Sequence, residues 1–291
     1  CYYGFEHSHM NEINPENMYE ILDGSLKEPV IDDRSCIPEE IRFYEASSPR
    51  KINGLYYLIY SPRKGSRLAY ATSESPTGPF TYRGYIIDNG VDYPAGNNHG
   101  SVCNINGQWY VFYHRMTNHS IMSRRACVEK IEILPDGTIP PVEMTSLGFE
   151  DALNPYKLIP AEIACVLKGD GYIIEKDAFT RVITNIKADN VIGYKYFDFG
   201  QDYGTRTMLL ALNIKGTGSN SIVHVHIDAE DGPEIGAGEI GLSDGVYKIR
   251  CQAVTGRHAL YFVTELPVEG WTRDFFEPKT LFELEDFTFF K

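Results

Sequence analysis

The sequence predicts an all-β protein built from two different kinds of sheet. Three observations lead there. Short β-rich runs recur with turn signals between them and no sustained helical period. One hairpin motif occurs twice, and the strand spacing changes after Asn154.

The first ten residues, CYYGFEHSHM, read as half a strand without a starting Met, a basic stretch or an apolar run of signal-peptide length. They suggest a piece of a longer polypeptide. Strands are then expected at Gly54 to Tyr60 after the Asn53-Gly54 turn, at Arg67 to Ser73 and at Phe80 to Ile87. A second round runs through Ser101 to Ile105, the Asn106-Gly107 turn, Gln108 to His114, and Ser120 to Cys127. Asn-Gly between alternating apolar runs is a strong short-range hairpin signal.

INGLYYLIYSPR, starting at Ile52, matches INGQWYVFYHRM, starting at Ile105, an offset of 53 residues. A repeat of about 50 residues made of hairpins is what successive β-propeller blades look like. Two blades do not close a propeller, which takes at least about four, so further N-terminal blades are expected outside this sequence, in the same protein or another chain.

Pro140 to Tyr156 is Pro-rich and acidic and reads as an interdomain crossing, which puts the domains at 1–150 and 151–291. Beyond it, VIGYKYFDFG, TRTMLLALNIKG, SIVHVHIDA, GVYKIRCQAV, HALYFVTELP and LFELEDFTFF are strands without the repeat, as in a β-sandwich.

Composition narrows the partners. The net charge is -13, from 40 acidic and 27 basic residues, which argues against nucleic acid and anionic membrane surfaces. No window approaches the 18 or so apolar residues of a membrane span. Aromatics are abundant, with 20 Tyr, 15 Phe and 2 Trp, and suit both sheet packing and stacking on sugars. Six cysteines, at 1, 36, 103, 127, 165 and 251, have neither zinc-site spacing nor disulfide-scaffold density, so most are expected to be buried thiols.

FYEASSPRKINGLYYLIYS, AGNNHGSVCNINGQWYVFYHR and SRRACVEKIEILPDGTI together resemble the C-terminal blades of a glycoside hydrolase family 43 enzyme. The final domain resembles a family 6 carbohydrate-binding module, through an Ala-Glu pair at its start and LFELEDFTFF at its end. The first resemblance implies part of a five-bladed propeller with its N-terminal blades absent, followed by a jelly-roll sandwich. It implies an inverting, exo-acting glycosidase that releases L-arabinofuranose or D-xylose from plant polysaccharide or oligosaccharide side chains. It also implies a secreted, periplasmic or cell-surface bacterial setting, with the cytoplasm as the alternative.

The family uses a general-base Asp, an orienting Asp and a general-acid Glu. Only the Glu has a counterpart here, Glu45, and both Asp residues are expected upstream of residue 1. Ala46, Ser47 and Ser48 are small enough for close substrate approach, and partial burial of Glu45 would raise its pKa as a general acid requires. By the same resemblance His99, in GNNHGS, lies at the propeller axis against a cation, taken as Ca2+, with no organic cofactor. Asn98 and Asn97 are pocket candidates. Of Arg124 and Arg125, which must face opposite ways on a strand, Arg124 is the substrate-side choice. His114 and Arg115 are rim candidates. Tyr56-Tyr57 and Trp109-Tyr110 read as blade packing.

In the sandwich, Glu162 and Asp286 are the structural-calcium candidates. Tyr172, Tyr194 and Trp271 are the aromatics available to a sugar, although VIGYKYFDFG departs from the expected Gly-Asp-Tyr pattern. Three alternatives stand beside the arabinofuranosidase or xylosidase reading. They are a non-catalytic carbohydrate-binding protein, a galactosidase or galactofuranosidase of the same family, and an interaction propeller without pocket carboxylates.

Overall fold

The computed structural model describes residues 1–291 except Ile37, Tyr203 and Thr217. Among the described residues it is all-β apart from three 3-10 turns and one short helix. The chain forms two compact units: a blade unit of Cys1–Val91, Ala95–Met116 and Arg124–Met144, and a sandwich unit of Asp92–Pro94, Thr117–Ser123 and Thr145–Lys291.

A small hairpin opens the chain, with β1 (Tyr2–Tyr3) antiparallel to β2 (His9–Met10). Next come β3 (Phe43–Ile52), β4 (Leu55–Pro62), β5 (Arg67–Ser73) and β6 (Thr81–Asp88), an antiparallel meander in that order. A second meander holds β7 (Ser101–Ile105), β8 (Gln108–Thr117) and β9 (Ser120–Ile131).

The repeat is real in three dimensions. Ile52 pairs with Leu55 across one two-residue turn and Ile105 with Gln108 across the other. Both turns carry positive φ at both central positions: 50° and 87° at Asn53 and Gly54, 52° and 90° at Asn106 and Gly107. That is the type I′ geometry whose twist matches the flanking strands, and Asn-Gly adopts it readily.

One expectation needs correction. FYEASSPRK lies outside the strands expected from the sequence, but it is itself strand β3, at one end of the first meander. Ser47, Ser48 and Pro49 carry low strand propensity. The Asn53-Gly54 turn nevertheless folds them back on β4, and Pro is tolerated on an edge strand.

Strands β4 and β5 are buried on both faces, so their apolar character is nearly continuous rather than alternating. One face packs Phe43, Leu58, Tyr60, Ala69, Ala71 and Phe80 with Val30 and Ile31. On the other, Tyr57 donates its hydroxyl to the Gly137 carbonyl at 2.8 Å, and the Ile139 amide donates to the Tyr70 hydroxyl at 2.9 Å. Of the four aromatics expected to be blade packing, Tyr57 and Tyr110 are buried, while Tyr56 and Trp109 are only partly buried.

The sandwich unit has two antiparallel sheets. Its strands are β10 (Ile159–Pro160), β11 (Val166–Lys168), β12 (Tyr172–Glu175), β13 (Arg181–Ile186) and β14 (Val191–Asp198). They continue with β15 (Thr207–Lys215), β16 (Ser221–Ile227), β17 (Glu234–Ile240), β18 (Gly245–Gln252), β19 (Arg257–Glu265) and β20 (Phe282–Phe290). One sheet runs β12-β13-β20-β15-β18, with β10 on β20, and the other β11-β14-β19-β16-β17. Helix α1 (Gly270–Phe276) leads into β20 and was not foreseen.

Edge-to-face aromatics join the two sheets. Phe287 of β20 lies 4.8 Å from Tyr194 of β14 and 5.1 Å from Phe262 of β19, centroid to centroid. Such pairs add about 0.5–1.5 kcal/mol beyond area burial.

Among the described residues none of the six cysteines is in a disulfide. Cys36, Cys165 and Cys251 are buried, and burial pushes the Cys251 thiol up to about 12. Cys1 and Cys103 are exposed, so burial describes half the set rather than most of it. No helix among the described residues is long and apolar enough to cross a membrane.

Candidate active site

Glu45 sits on β3 between two register shifts. Phe43, Glu45 and Ser48 pair with Pro62, Ser61 and Ile59, and Ala46 has φ of 66°. A bulge of this kind bends a strand and re-aims a side chain. Here it turns the Glu45 carboxylate toward His99, with Oε1 2.9 Å from Nε2. The Glu45 side chain is 27% exposed and that of His99 34%, so both keep a face to solvent.

The repeat explains why these residues meet. Its 53-residue offset makes Asn98 the equivalent of Glu45, and His114 the equivalent of Ser61. Ser61 is the cross-strand partner of Glu45, and its hydroxyl donates to the Asn98 carbonyl. Equivalent positions of the two meanders thus converge on one cluster.

Histidine 114 holds the loop before β7. Its Nδ1 accepts from the His99 amide at 3.2 Å, which leaves Nε2 to donate to the Asn97 side-chain oxygen, also at 3.2 Å. The two imidazoles lie edge to face with centroids 5.6 Å apart. Burial, then the Arg124 guanidinium, then His99 keep the His114 pKa below the usual histidine value. The lowered pKa keeps His114 neutral, as its accepting Nδ1 requires.

Asn98 departs from the expected role. It is buried, and its amide donates to the Ser66 carbonyl at 3.1 Å and to Asn89 Oδ1 at 3.5 Å. A side chain spent on its own scaffold shapes the loop rather than the sugar. Ser66 adds to that scaffold, giving to the Gly96 carbonyl and receiving from the Gly96 amide, each at 2.8 Å. Gly100 completes the loop, since a Cβ there would overlap the Phe112 carbonyl.

Ser61, Ser66 and Asn89 went unnoticed in the sequence, and His114 was placed only at the rim. The repeat offset was the signal that could have found Ser61 and His114.

Of the sandwich candidates, Glu162 and Asp286 lie on neighbouring segments, since Asp286 pairs with Pro160, two residues before Glu162. Asp286 Oδ2 accepts from the Asn213 amide at 3.0 Å, and Glu162 lies in the turn after β10. Tyr194 is fully buried, its hydroxyl on the Ala161 carbonyl at 3.1 Å, so it is core and not a sugar platform. Tyr172 packs against His119, and Trp271 is exposed on α1. A cleft of 340 Å³ elsewhere in this unit is lined by Asn154, Tyr156, Asp198, Asp202 and Lys291 among others.

Residues 5–139 match the model of glycosyl hydrolases family 43. The matched segment contains Glu45, His99, His114 and Arg124. A xylosidase/arabinosidase from Thermoclostridium stercorarium is 40% identical over 194 residues, 54% of this chain and 40% of that protein. The crystal structure of a family 43 arabinoxylan arabinofuranohydrolase from Bacillus subtilis, in complex with cellotetraose, covers 98% of this chain and 59% of its own. Its identity is 25% and its TM-score 0.46. A family 6 carbohydrate-binding module from Clostridium cellulolyticum, in complex with xylose, covers 48% of this chain and all of its own at 20% identity and a TM-score of 0.37. The chain spans 40%, 43% and 53% of the length of three curated relatives it matches.

Proposed function

We propose that the chain carries the acid-bearing part of an inverting, exo-acting glycosidase that releases L-arabinofuranose or D-xylose from side chains of plant polysaccharides or oligosaccharides. The observation that carries this is the Glu45–His99 pair, 2.9 Å apart at a strand bulge inside the family 43 segment. The name of the Thermoclostridium relative supports the choice of sugars.

Glycoside hydrolysis by inversion needs a proton for the departing oxygen and a carboxylate that activates water on the other face, about 6.5–9.5 Å away. Glu45 takes the first role. Protonated, it donates to the leaving oxygen. Ionised afterwards, its Oε1 is held in place by His99. The bland small residues Ala46 to Ser48 leave room beside it, and Arg124 supplies a cation to hold sugar hydroxyls. The general base and the orienting carboxylate are assigned to blades outside residues 1–291. Asn98 positions the loop that presents His99.

A calcium ion at His99 would find too few hard donors among these residues. Ca2+ takes about six to eight oxygens, and here the imidazole Nε2 already faces Glu45. The reaction is therefore derived without the ion. Glu162 and Asp286 remain the proposed calcium ligands of the sandwich, with a chelator-dependent melting temperature as their test.

The deciding experiment compares Glu45→Gln with the parent enzyme, in the protein that also carries the upstream blades. Aryl arabinofuranosides and xylosides of graded leaving-group pKa are the substrates, with the product anomer followed by NMR. Losses that grow as the leaving group worsens, with inverted configuration, support the assignment. Equal losses across the series remove Glu45 from the acid role, and a parent protein inactive on the whole panel favours the carbohydrate-binding alternative.

A further inference from the structure

The outer face of β16 carries a second cluster that the glycosidase reading does not use. Strand β16 alternates strictly: Val223, Val225 and Ile227 are buried, and His224 and His226 stand together on the other face. Their side chains are 24% and 16% exposed. The neighbouring strands supply carboxylates on either side. Glu234 of β17 is the register partner of His226, and Glu265 of β19 pairs with Ile222, two residues before His224.

The hydrogen bonds sort the nitrogens. His226 Nδ1 lies 2.8 Å from the Gly232 carbonyl, which can only accept, so Nδ1 bears the proton and Nε2 is left with its lone pair. That Nε2 is 3.9 Å from Glu234 Oε2. His224 Nε2 lies 2.7 Å from Glu265 Oε2, and its Nδ1 lies 2.9 Å from the same Glu234 oxygen. One ligand atom from each of His224, His226 and Glu234 therefore falls within 4.8 Å of the other two.

We propose that His224, His226 and Glu234 form a binding site for a divalent transition-metal ion, Zn2+ by preference. His224 Nδ1, His226 Nε2 and Glu234 Oε2 are the ligands, and solvent completes the tetrahedron. Two imidazoles and a carboxylate suit a borderline ion such as Zn2+, while hard Ca2+ prefers oxygen. Ligands about 2.0–2.2 Å from a common ion stand roughly 3.3–3.6 Å apart, so small rotations of His226 and Glu234 close the site.

The outer contacts are those of a metal site as well. Each imidazole gives its remaining N–H to an oxygen, Glu265 for His224 and the Gly232 carbonyl for His226, which sets the tautomer and aims the lone pair. Rigidity comes from β16 and β19, whose opposite faces lie in the sandwich core.

The test uses the whole chain, stripped with a chelator and titrated with Zn2+ by calorimetry and with Co2+ by visible absorption. One equivalent of Zn2+ should bind, Co2+ should give the strong d–d bands of a tetrahedral site, and excess Ca2+ should displace neither. His224→Ala or His226→Ala should abolish the spectrum. Glu265→Gln, which touches only the outer contact, should weaken binding about 10–100-fold and keep the tetrahedral spectrum. Circular dichroism of the metal-free variants checks their fold. Anomalous diffraction at the zinc edge from the unaltered protein decides independently, through a peak bounded by the three named atoms. Absence of stoichiometric Zn2+ binding, or tetrahedral Co2+ bands that survive the double variant His224→Ala/His226→Ala, would overturn the proposal.

Discussion

In the blade unit, His99 and His114 stand with ring centroids 5.6 Å apart; in the sandwich unit, His224 and His226 stand 6.4 Å apart. The blade pair is surrounded mainly by amides: a backbone N–H and the Asn97 side chain on His114, with one carboxylate, Glu45, on His99. In the sandwich pair, His224 has a carboxylate on each ring nitrogen. The cation is disfavoured at His114 and favoured at His224. Spacing along the chain does not decide this, because the deciding neighbours come from other strands. On the glycosidase reading proposed above, a neutral amide frame leaves the Glu45 carboxyl as the group a substrate meets. A carboxylate frame makes the second pair a place for a cation.

The largest effect should come from the one carboxylate of the blade pair. Glu45→Gln keeps a hydrogen-bonding group opposite His99 and removes the proposed proton donor. Hydrolysis of poor leaving groups should fall by about 10²–10⁴. If His99→Ala lowers kcat as much as Glu45→Gln while KM holds, the pair acts as a unit. An unchanged kcat would make His99 a spectator.

Next comes the amide frame. Asn98→Ala removes the hydrogen bonds that its side-chain amide makes with the Ser66 carbonyl and the His114 amide in a buried loop. Each lost hydrogen bond costs about 0.5–1.5 kcal/mol. Thermal or urea unfolding should show that loss in the transition of the blade unit and leave the sandwich transition in place. Asn98→Asp tests the comparison more sharply, because it puts a carboxylate into the amide frame. Near neutral pH it should raise the His114 pKa toward that of His224, and an unmoved His114 would show that burial and Arg124 outweigh a carboxylate at that position.

Much of this was legible in the sequence, though unevenly. The Asn-Gly turns, the 53-residue repeat and the Glu45 motif were all readable, because each is local or recurs at a fixed offset. Strand β3 was hidden by Ser47, Ser48 and Pro49, whose propensities lose to the hairpin that pairs them with β4. The buried role of Asn98 was hidden because its partners, Ser66 and Asn89, reach it through packing. In SIVHVHIDA the two histidines were plain, but Glu234 and Glu265 join them only through the register of three strands.

A smaller effect separates core from platform in the sandwich. Tyr194→Phe removes one buried hydrogen bond, to the Ala161 carbonyl, and should cost about 0.5–1.5 kcal/mol with no change in retention on insoluble xylan. A loss of retention without a loss of stability would reinstate Tyr194 as a sugar contact.

The smallest effect, and the most direct on the comparison, is pH. Burial, Arg124 and His99 lower the pKa of His114. For His224 burial also pulls down, but hydrogen bonds and charge from Glu234 and Glu265 outweigh it and the pKa is raised. An unfolded histidine titrates near 6.5, roughly. Where the folded pKa is lower, the unfolded state binds more protons between the two values. The His114 contribution is thus complete above about 6.5 and lost as pH falls toward its folded pKa. For His224 the sign reverses: its contribution is complete below about 6.5 and lost as pH rises through its folded pKa. Histidine ring shifts followed by NMR in chelator-treated protein, assigned with His114→Gln and His224→Gln, should place the two midpoints on opposite sides of the free value. One equivalent of Zn2+ should then remove the His224 titration and leave that of His114 untouched, since a metal on Nδ1 excludes the proton there. Midpoints on the same side would mean that the carboxylate frame does not govern His224, and the contrast between the two units would fail.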